Sequence, residues 1–359
     1  SGKPVYEAMA NMRDRGNGLG AGYALYGLYP ENPDAYAFHI MFASQAGRRA
    51  TEQFLETYFK IHRSEEMPTR KTEGMIDEPL FCRYFAQPKL DKELQTAEDD
   101  FIVDAVLKIN SEIEDSFVFS SGKNMGVFKG VGYPEQIYEY FRLDDYDAYI
   151  WTAHSRFPTN SQAWWGGAHP FSLVDWTVVH NGELSSYGAN RAYLETEGYK
   201  CTMFTDTEVM AHAIDLVMRR QKLSPEVFAK IVAPPLWDEI DRMAKSDQEL
   251  HSALRATYGG LLMNGPFAVV IANSSQMIAL TDRIRLRPLT AATKDNTVYF
   301  SSEEASIRLV SRELDQVWTP MGGVPVISGI GLLPKPEDST LRDHQRSSAA
   351  QGRREEVAL

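Results

Sequence analysis

The chain has 359 residues, 43% of them hydrophobic, and 37 Lys plus Arg against 49 Asp plus Glu give a formal net charge of −12. That length allows one large domain or two modest ones, with apolar content enough for a full core. The acidic balance argues against a nucleic-acid partner, no apolar run is long enough to cross a bilayer, and the polar start lacks the basic-then-apolar order of a signal peptide, so a cytoplasmic chain with no membrane partner is expected.

Residues 4–14 have helical spacing, with Val5, Ala8, Met9 and Met12 on one face, and the helix ends before Gly16-Asn17-Gly18. Residues 20–28 and 35–43 are apolar and aromatic around Pro30-Glu31-Asn32-Pro33-Asp34, which predicts a hairpin with a longer loop. Helical spacing returns over 47–60. Residues 64–98 carry mixed charge, three prolines and little periodicity. They read as an irregular insertion whose Ile76, Leu80, Phe81 and Phe85 require burial. Residues 101–109 fit strand or helix. Residues 117–120 and 125–131 read as strands around Ser121-Gly122-Lys123-Asn124. That tetrapeptide lacks the full spacing of a phosphate loop and reads as a hairpin turn. Pro134 opens a helix over 134–142, and 149–153 is a strand that delivers His154 and Arg156 at its end.

Residues 188–198 and 207–221 are helical, the second capped by Thr205 or Asp206 with Glu208 in its first turn. Residues 198–204 read as a short strand before that cap. Three helical stretches follow, 224–232, 236–245 and 247–259. Strands come next over 268–272, 277–281, 286–292 and 297–301, then a helix over 303–311. Residues 336–359 are polar with few aromatics and read as a flexible tail. Strands on both sides of a helical middle, without βαβ alternation, argue α+β.

Three polar segments carry chemistry. In His154-Ser155-Arg156-Phe157-Pro158-Thr159-Asn160, Arg156 is a permanent cation able to hold a carboxylate by two parallel hydrogen bonds. Thr159 can add a hydroxyl to the same group, and His154 reads as a loop brace rather than a base. In Val178-Val179-His180-Asn181-Gly182-Glu183-Leu184, the Asn181 amide and the Gly182 N–H can converge on an oxyanion, with His180 positioning the corner. The competing reading of Asn181-Gly182 is a plain hairpin turn. In Phe204-Thr205-Asp206-Thr207-Glu208, Asp206 is either a helix cap or a partner for an ammonium. A carboxylate, an amide and an ammonium occur together in glutamine. Trp164-Trp165-Gly166-Gly167-Ala168-His169-Pro170 reads as a packed aromatic corner near Arg156. The two cysteines, Cys82 and Cys201, are too few and too far apart for a disulfide scaffold or a four-ligand zinc site, and read as reduced thiols. The alternative makes Cys201 a nucleophile with His180 or His212 as base. No cofactor or metal motif is present.

The ordered set HSRFPTN, Ala168-His169-Pro170-Phe171, HNGEL and TDTEV resembles the glutaminase domain of class II glutamine amidotransferases, over about residues 4–310. The likeness is greatest to the glutamate-synthase type and its stand-alone relatives, including the amidotransferase subunit of N-methylglutamate synthase. The resemblance implies a four-layer αββα N-terminal-nucleophile hydrolase sandwich, in one domain over 1–335 with an insertion near 64–98. It implies that Arg156, Thr159, Gly182 and Asp206 bind glutamine, that Asn181 and Gly182 hold the oxyanion, and that His154 and His180 support them. It further implies that ammonia passes to a flavin-containing synthase subunit in a hetero-oligomer. The family opens on Cys-Gly and an apolar strand, and that cysteine is its nucleophile. This chain opens Ser1-Gly2-Lys3-Pro4. The expectation is that the native start precedes Ser1. Ser1 as nucleophile, or a glutamine-binding or regulatory subunit without turnover, are the alternatives.

Overall fold

The computed structural model describes residues 2–90, 98–157 and 163–336. Helix α1 (Lys3–Asn11) leads into strands β1 (Ala21–Tyr26) and β2 (Tyr36–Phe42), then α2 (Gln45–Tyr58), β3 (Phe59–Glu66) and β4 (Leu80–Pro88). Next come α3 (Glu98–Glu112), β5 (Ser116–Ser120), β6 (Met125–Gly130), α4 (Pro134–Tyr140) and β7 (Ile150–Ser155). The centre holds β8 (Phe171–Leu173), β9 (Trp176–Gly182), α5 (Tyr187–Thr196), α6 (Asp206–Ile214), α7 (Pro225–Val232), α8 (Trp237–Ile240) and α9 (Lys245–Tyr258). The last part is β10 (Phe267–Ala272), β11 (Gln276–Thr281), β12 (Thr290–Lys294), β13 (Thr297–Ser301), α10 (Glu304–Val310), β14 (Gln316–Trp318) and β15 (Val326–Gly329).

The expected hairpin of β1 with β2 does not form. β1 is the centre of a three-stranded sheet, β6-β1-β7, while β2 lies inside another, β3-β4-β2-β5. Every residue of both strands is buried. A strand apolar on both faces has no alternation to fix its neighbour, so adjacency in sequence misled. The expected hairpin across Ser121-Gly122-Lys123-Asn124 fails in the same way, because β5 pairs with β2 and β6 with β1. Residues 64–98 are not irregular throughout. β4 runs through them, paired to β2 and β3, with Phe81 and Phe85 buried, whereas Ile76, expected to be buried, is 69% exposed. Residues 101–109 belong to α3, and 198–204 contain no strand. β12 begins at Thr290 rather than 286, behind Pro288 and a turn with Arg285 at φ 55°. The tail beyond 336 lies outside the described residues.

All sheets are antiparallel. β8 to β11 and β15 form a five-stranded sheet in the order β15-β11-β10-β9-β8, and β13-β12-β14 a further three-stranded one. α1 and α4 cover one face of β6-β1-β7, whose other face meets the five-stranded sheet through β7 against β9 and β10. α6 packs on the far side of β8 and β9. The chain is therefore α+β, with helix, sheet, sheet and helix stacked in four layers. β2 separates two hydrophobic cores. Phe38, Ile40 and Phe42 join α2, α3 and α6, while Ala37 and Met41 join β1, β6 and α4. That is the two-residue period of a strand buried on both faces. Among the described residues no helix is long and apolar enough to cross a membrane.

Candidate active site

Two strand ends from facing sheets and one helix start meet at the site. Beyond the end of β7, the Arg156 N–H donates to Gly20 O at 2.8 Å, which holds the residue in line with the sheet. A β-carbon on Gly20 would lie 3.3 Å from Arg156 Cδ, so the glycine makes room for the side chain. Arg156 is 6% exposed. Burial pulls its pKa below the usual arginine value, and the carboxylates of Asp206 and Glu183 oppose that pull.

β9 does not turn at His180-Asn181-Gly182. It continues as a strand, with Asn181 opposite Ala268 and Gly182 opposite Phe267 of β10. The hairpin-turn reading of Asn181-Gly182 therefore falls. Gly182 has φ 156°, and a β-carbon there would sit 2.0 Å from Pro266 O and 2.7 Å from His180 Nε2. Only glycine fits that close approach. The Asn181 amide has no hydrogen-bond partner among the described residues and faces the cavity.

Thr205, not Asp206, caps α6, its side-chain oxygen accepting from Thr207 N. That frees the Asp206 carboxylate. Its Oδ2 accepts from Leu184 N at 3.0 Å, and its Oδ1 accepts from Thr207 Oγ1 at 3.2 Å and lies 3.4 Å from His180 Nδ1. Burial pushes this carboxyl up, but His180, the Leu184 N–H and Thr207 together hold it below the usual carboxylate value.

Arg156, Asn181, Gly182 and Asp206 line one cavity of about 1430 Å³. Every residue of β7 and of β13 also lines it, and so do residues of α1 and α10. Among the described residues β7 pairs with β1 alone and β13 with β12 alone, so each has one strand edge without a described partner. The cavity lining is thus mixed, apolar residues of α1, β7 and β13 alternating with polar ones such as Arg287, Ser301 and Ser302, and its walls are made partly of strand edges.

His154 and His180 belong to one contact network with His169, Thr207 and Asp206. The His154 ring lies 4.3 Å from that of His169, whose Nε2 is 3.0 Å from Thr207 Oγ1. Thr207 Oγ1 is also 3.3 Å from His180 Nδ1, so one hydroxyl links two histidines to Asp206. The aromatic corner is packed as expected, with Trp165 against Phe81 and Tyr140. Thr159 lies outside the described residues. Cys201 lies apart from the cavity. Its Sγ is 3.5 Å from His212 Nδ1, and burial and then Glu208 push the thiol up to about 12. Cys201 is 4% exposed and outside the lining of the cavity that Arg156, Asn181 and Asp206 share, so its alternative reading as the nucleophile gains no support at this site. Sequence reasoning missed His169 as a member of the network, and missed Lys129. The signal for the latter was a lone lysine inside the apolar stretch Val127-Phe128-Lys129-Gly130-Val131.

These histidines predict an acid-sensitive fold. Burial holds His39 and His154 down to about 3, His212 to about 4, and His169 well below its usual value. The unfolded chain takes up these protons near pH 6.5, while the folded chain resists them, so stability falls as pH drops below 6.5. Glu208, pushed up to about 7, works the other way between 7 and 4.5 and offsets one histidine. Unfolding between pH 6.5 and 4.5 should therefore take up about three protons, each worth about 1.4 kcal/mol per pH unit. Urea midpoints measured across that window check the slope. A flat profile would contradict the buried neutral histidines.

The family model for class-II glutamine amidotransferases matches residues 72–318, more than half of the chain. The chain belongs to the class-II glutamine amidotransferases. An uncharacterized protein of Archaeoglobus fulgidus is 53% identical to this chain over 331 residues, 91% of this chain and 88% of that one. A putative glutamine amidotransferase of Methanothermobacter thermautotrophicus is 25% identical over 310 residues, 83% of this chain and 85% of that one. The large chain of the NADPH glutamate synthase of Bacillus subtilis is 28% identical over 208 residues, 51% of this chain and only 13% of that one. The αββα layering described above is that of the N-terminal-nucleophile hydrolase sandwich implied by the sequence resemblance.

Proposed function

We propose that the chain hydrolyses glutamine to glutamate and supplies the ammonia to a synthase partner of the glutamate-synthase kind. The observation that carries the proposal is the convergence of Arg156, Asn181-Gly182 and Asp206 on one cavity. Arg156 takes the α-carboxylate by two parallel bonds. Asp206, held anionic, takes the α-ammonium. The Asn181 amide and Gly182 N–H receive the oxyanion that forms when the side-chain carbonyl is attacked. His154, His169, His180 and Thr207 keep Asp206 and the strand end in place.

The nucleophile in this reading is the cysteine that opens the family's apolar strand. Its thiolate attacks the amide carbon, and its own α-amino group relays the proton to the departing ammonia. The C–N bond breaks, a thioester remains, and water releases glutamate. Two features support placing that strand in the cavity. The open edges of β7 and β13 offer backbone partners along its walls, and the cavity is large for glutamine alone. The partner is proposed to be a flavin-containing synthase subunit in a hetero-oligomer, a reading supported by the likeness to the glutamate synthase large chain over half of this chain. A second reading, a glutamine-binding or regulatory subunit without turnover, draws on the burial of Cys82 and Cys201 outside the cavity lining.

A chain extended ahead of Ser1 by Cys-Gly and an apolar strand separates the two. Glutamate release from glutamine should then appear, and a Cys→Ser change at the added residue should abolish it. Binding of glutamine with no release, even beside the synthase subunit, would favour the silent subunit.

A further inference from the structure

Lys129 stands in the middle of β6 and is 3% exposed. Its Nζ lies over the rings of Phe171 and Phe119, 4.0 and 4.9 Å from their centroids, and donates to Gly166 O at 2.9 Å. Burial pulls its pKa down to about 7, against the attraction of Glu208 and with the repulsion of Arg156. Burying an ammonium against one neutral acceptor and two aromatic faces is costly. The strand itself has no need of it, since a methionine would fill the same volume.

The sheet register shows what the lysine reaches. Lys129, Gly22 and His154 lie side by side across β6, β1 and β7, so their side chains share one face. Over that row runs the turn Trp165–Gly167 and its continuation to His169. Lys129 holds the Gly166 carbonyl at one end, and the His154 ring meets the His169 ring at the other. Gly22 between them leaves space: a β-carbon there would lie 2.3 Å from His169 O and 2.5 Å from Lys129 Cβ. The turn reaches the guanidinium directly, because a β-carbon on Gly167 would sit 3.2 Å from Arg156 Nη1. On its other side Arg156 is flanked by Gly20. The arginine is thus gripped between strand and turn, and the turn is fastened by Lys129.

We infer that Lys129 is a positioning residue. By holding the Gly166 carbonyl it keeps the Gly167 backbone against Arg156, and so sets the direction in which Arg156 presents its paired N–H groups to a ligand carboxylate. The inference rests on the reading of Arg156 as the partner of the glutamine α-carboxylate.

Two ligands test it by calorimetry on the full chain: glutamine, and 4-aminobutanamide, which is glutamine without its α-carboxylate. Lys129→Met should raise the Kd for glutamine about tenfold, the scale of one misaligned charge-assisted bond. The Kd for 4-aminobutanamide should change by less than about twofold on the same scale. The melting temperature should hold or rise, because an apolar chain of equal volume replaces a buried charge. A merely structural lysine would weaken both ligands equally or lower the melting temperature with no change in preference, and either result overturns the inference. If Lys129→Met does not fold, Lys129→Leu carries the same expectation and the same overturning results. Arg156→Lys is measured in parallel. If it leaves the preference for glutamine intact, the carboxylate reading itself fails. If it removes the preference while Lys129→Met keeps it, only the role of Lys129 falls.

Discussion

Arg156→Lys should weaken glutamine binding by one to two orders of magnitude. Arg156 is buried with its stem against Gly20 and its guanidinium against Gly167, which leaves the fork little room to reorient. It meets a planar carboxylate with two parallel bonds, whereas an ammonium offers one point of charge on a flexible stem. One charge-assisted bond is worth about 1.5 to 3 kcal/mol, which is roughly ten- to a hundredfold in Kd. Lysine keeps the charge, so the change isolates geometry from electrostatics. Calorimetric titration with glutamine gives the answer, and an unchanged Kd would remove Arg156 from the ligand site. In a turnover-competent chain the same loss should appear in KM, because the α-carboxylate is charged in the ground state and in the transition state alike.

Asn181→Ala should behave in the opposite way. Its amide is uncommitted to any described residue, and the strand pairing of β9 with β10 holds its backbone still. It meets charge only after the carbonyl has been attacked, so its loss should spare glutamine affinity and lower turnover. Loss of one such donor costs on the order of a hundredfold or more in turnover, about 3 kcal/mol. The measurement is steady-state glutamate release from the chain carrying the Cys-Gly strand. A raised KM with turnover unchanged would show Asn181 to be a binding group and not an oxyanion donor. Gly182 gives no comparable test, because any β-carbon there strikes Pro266 O and moves the strand.

Much of the candidate site was legible in the sequence because its residues stand at element ends. His154 and Arg156 leave β7, Asn181 and Gly182 end β9, and Asp206 begins α6. End positions are marked by polar residues breaking an apolar run, which sequence shows directly. Two things were hidden. The cap of α6 was ambiguous between Thr205 and Asp206, and only the contact of Asp206 with Leu184 N, 22 residues away in sequence, resolves it. Lys129 was hidden because its acceptor, Gly166 O, belongs to a distant turn. In the fold, several helices were read from period and caps, as at Ser224 before Pro225 of α7, but the expected helix 236–245 is only the single turn α8, and the spacing of 101–109 does not choose between strand and helix. Strand pairing was not legible. β1, β2, β5 and β6 are buried almost throughout, and burial on both faces does not say beside which strand each lies.

The double burial of β2 has a consequence for how the molecule comes apart. Its alternate side chains belong to different cores, so β2 is a wall common to both. Neither core can open alone without stripping one face of that wall and exposing Phe38 and Ile40 on one side or Ala37 and Met41 on the other. Partial melting that frees one half while the other stays intact is therefore costly. The layers carrying Arg156 and those carrying Asp206 stand or fall together, as a single cooperative unit.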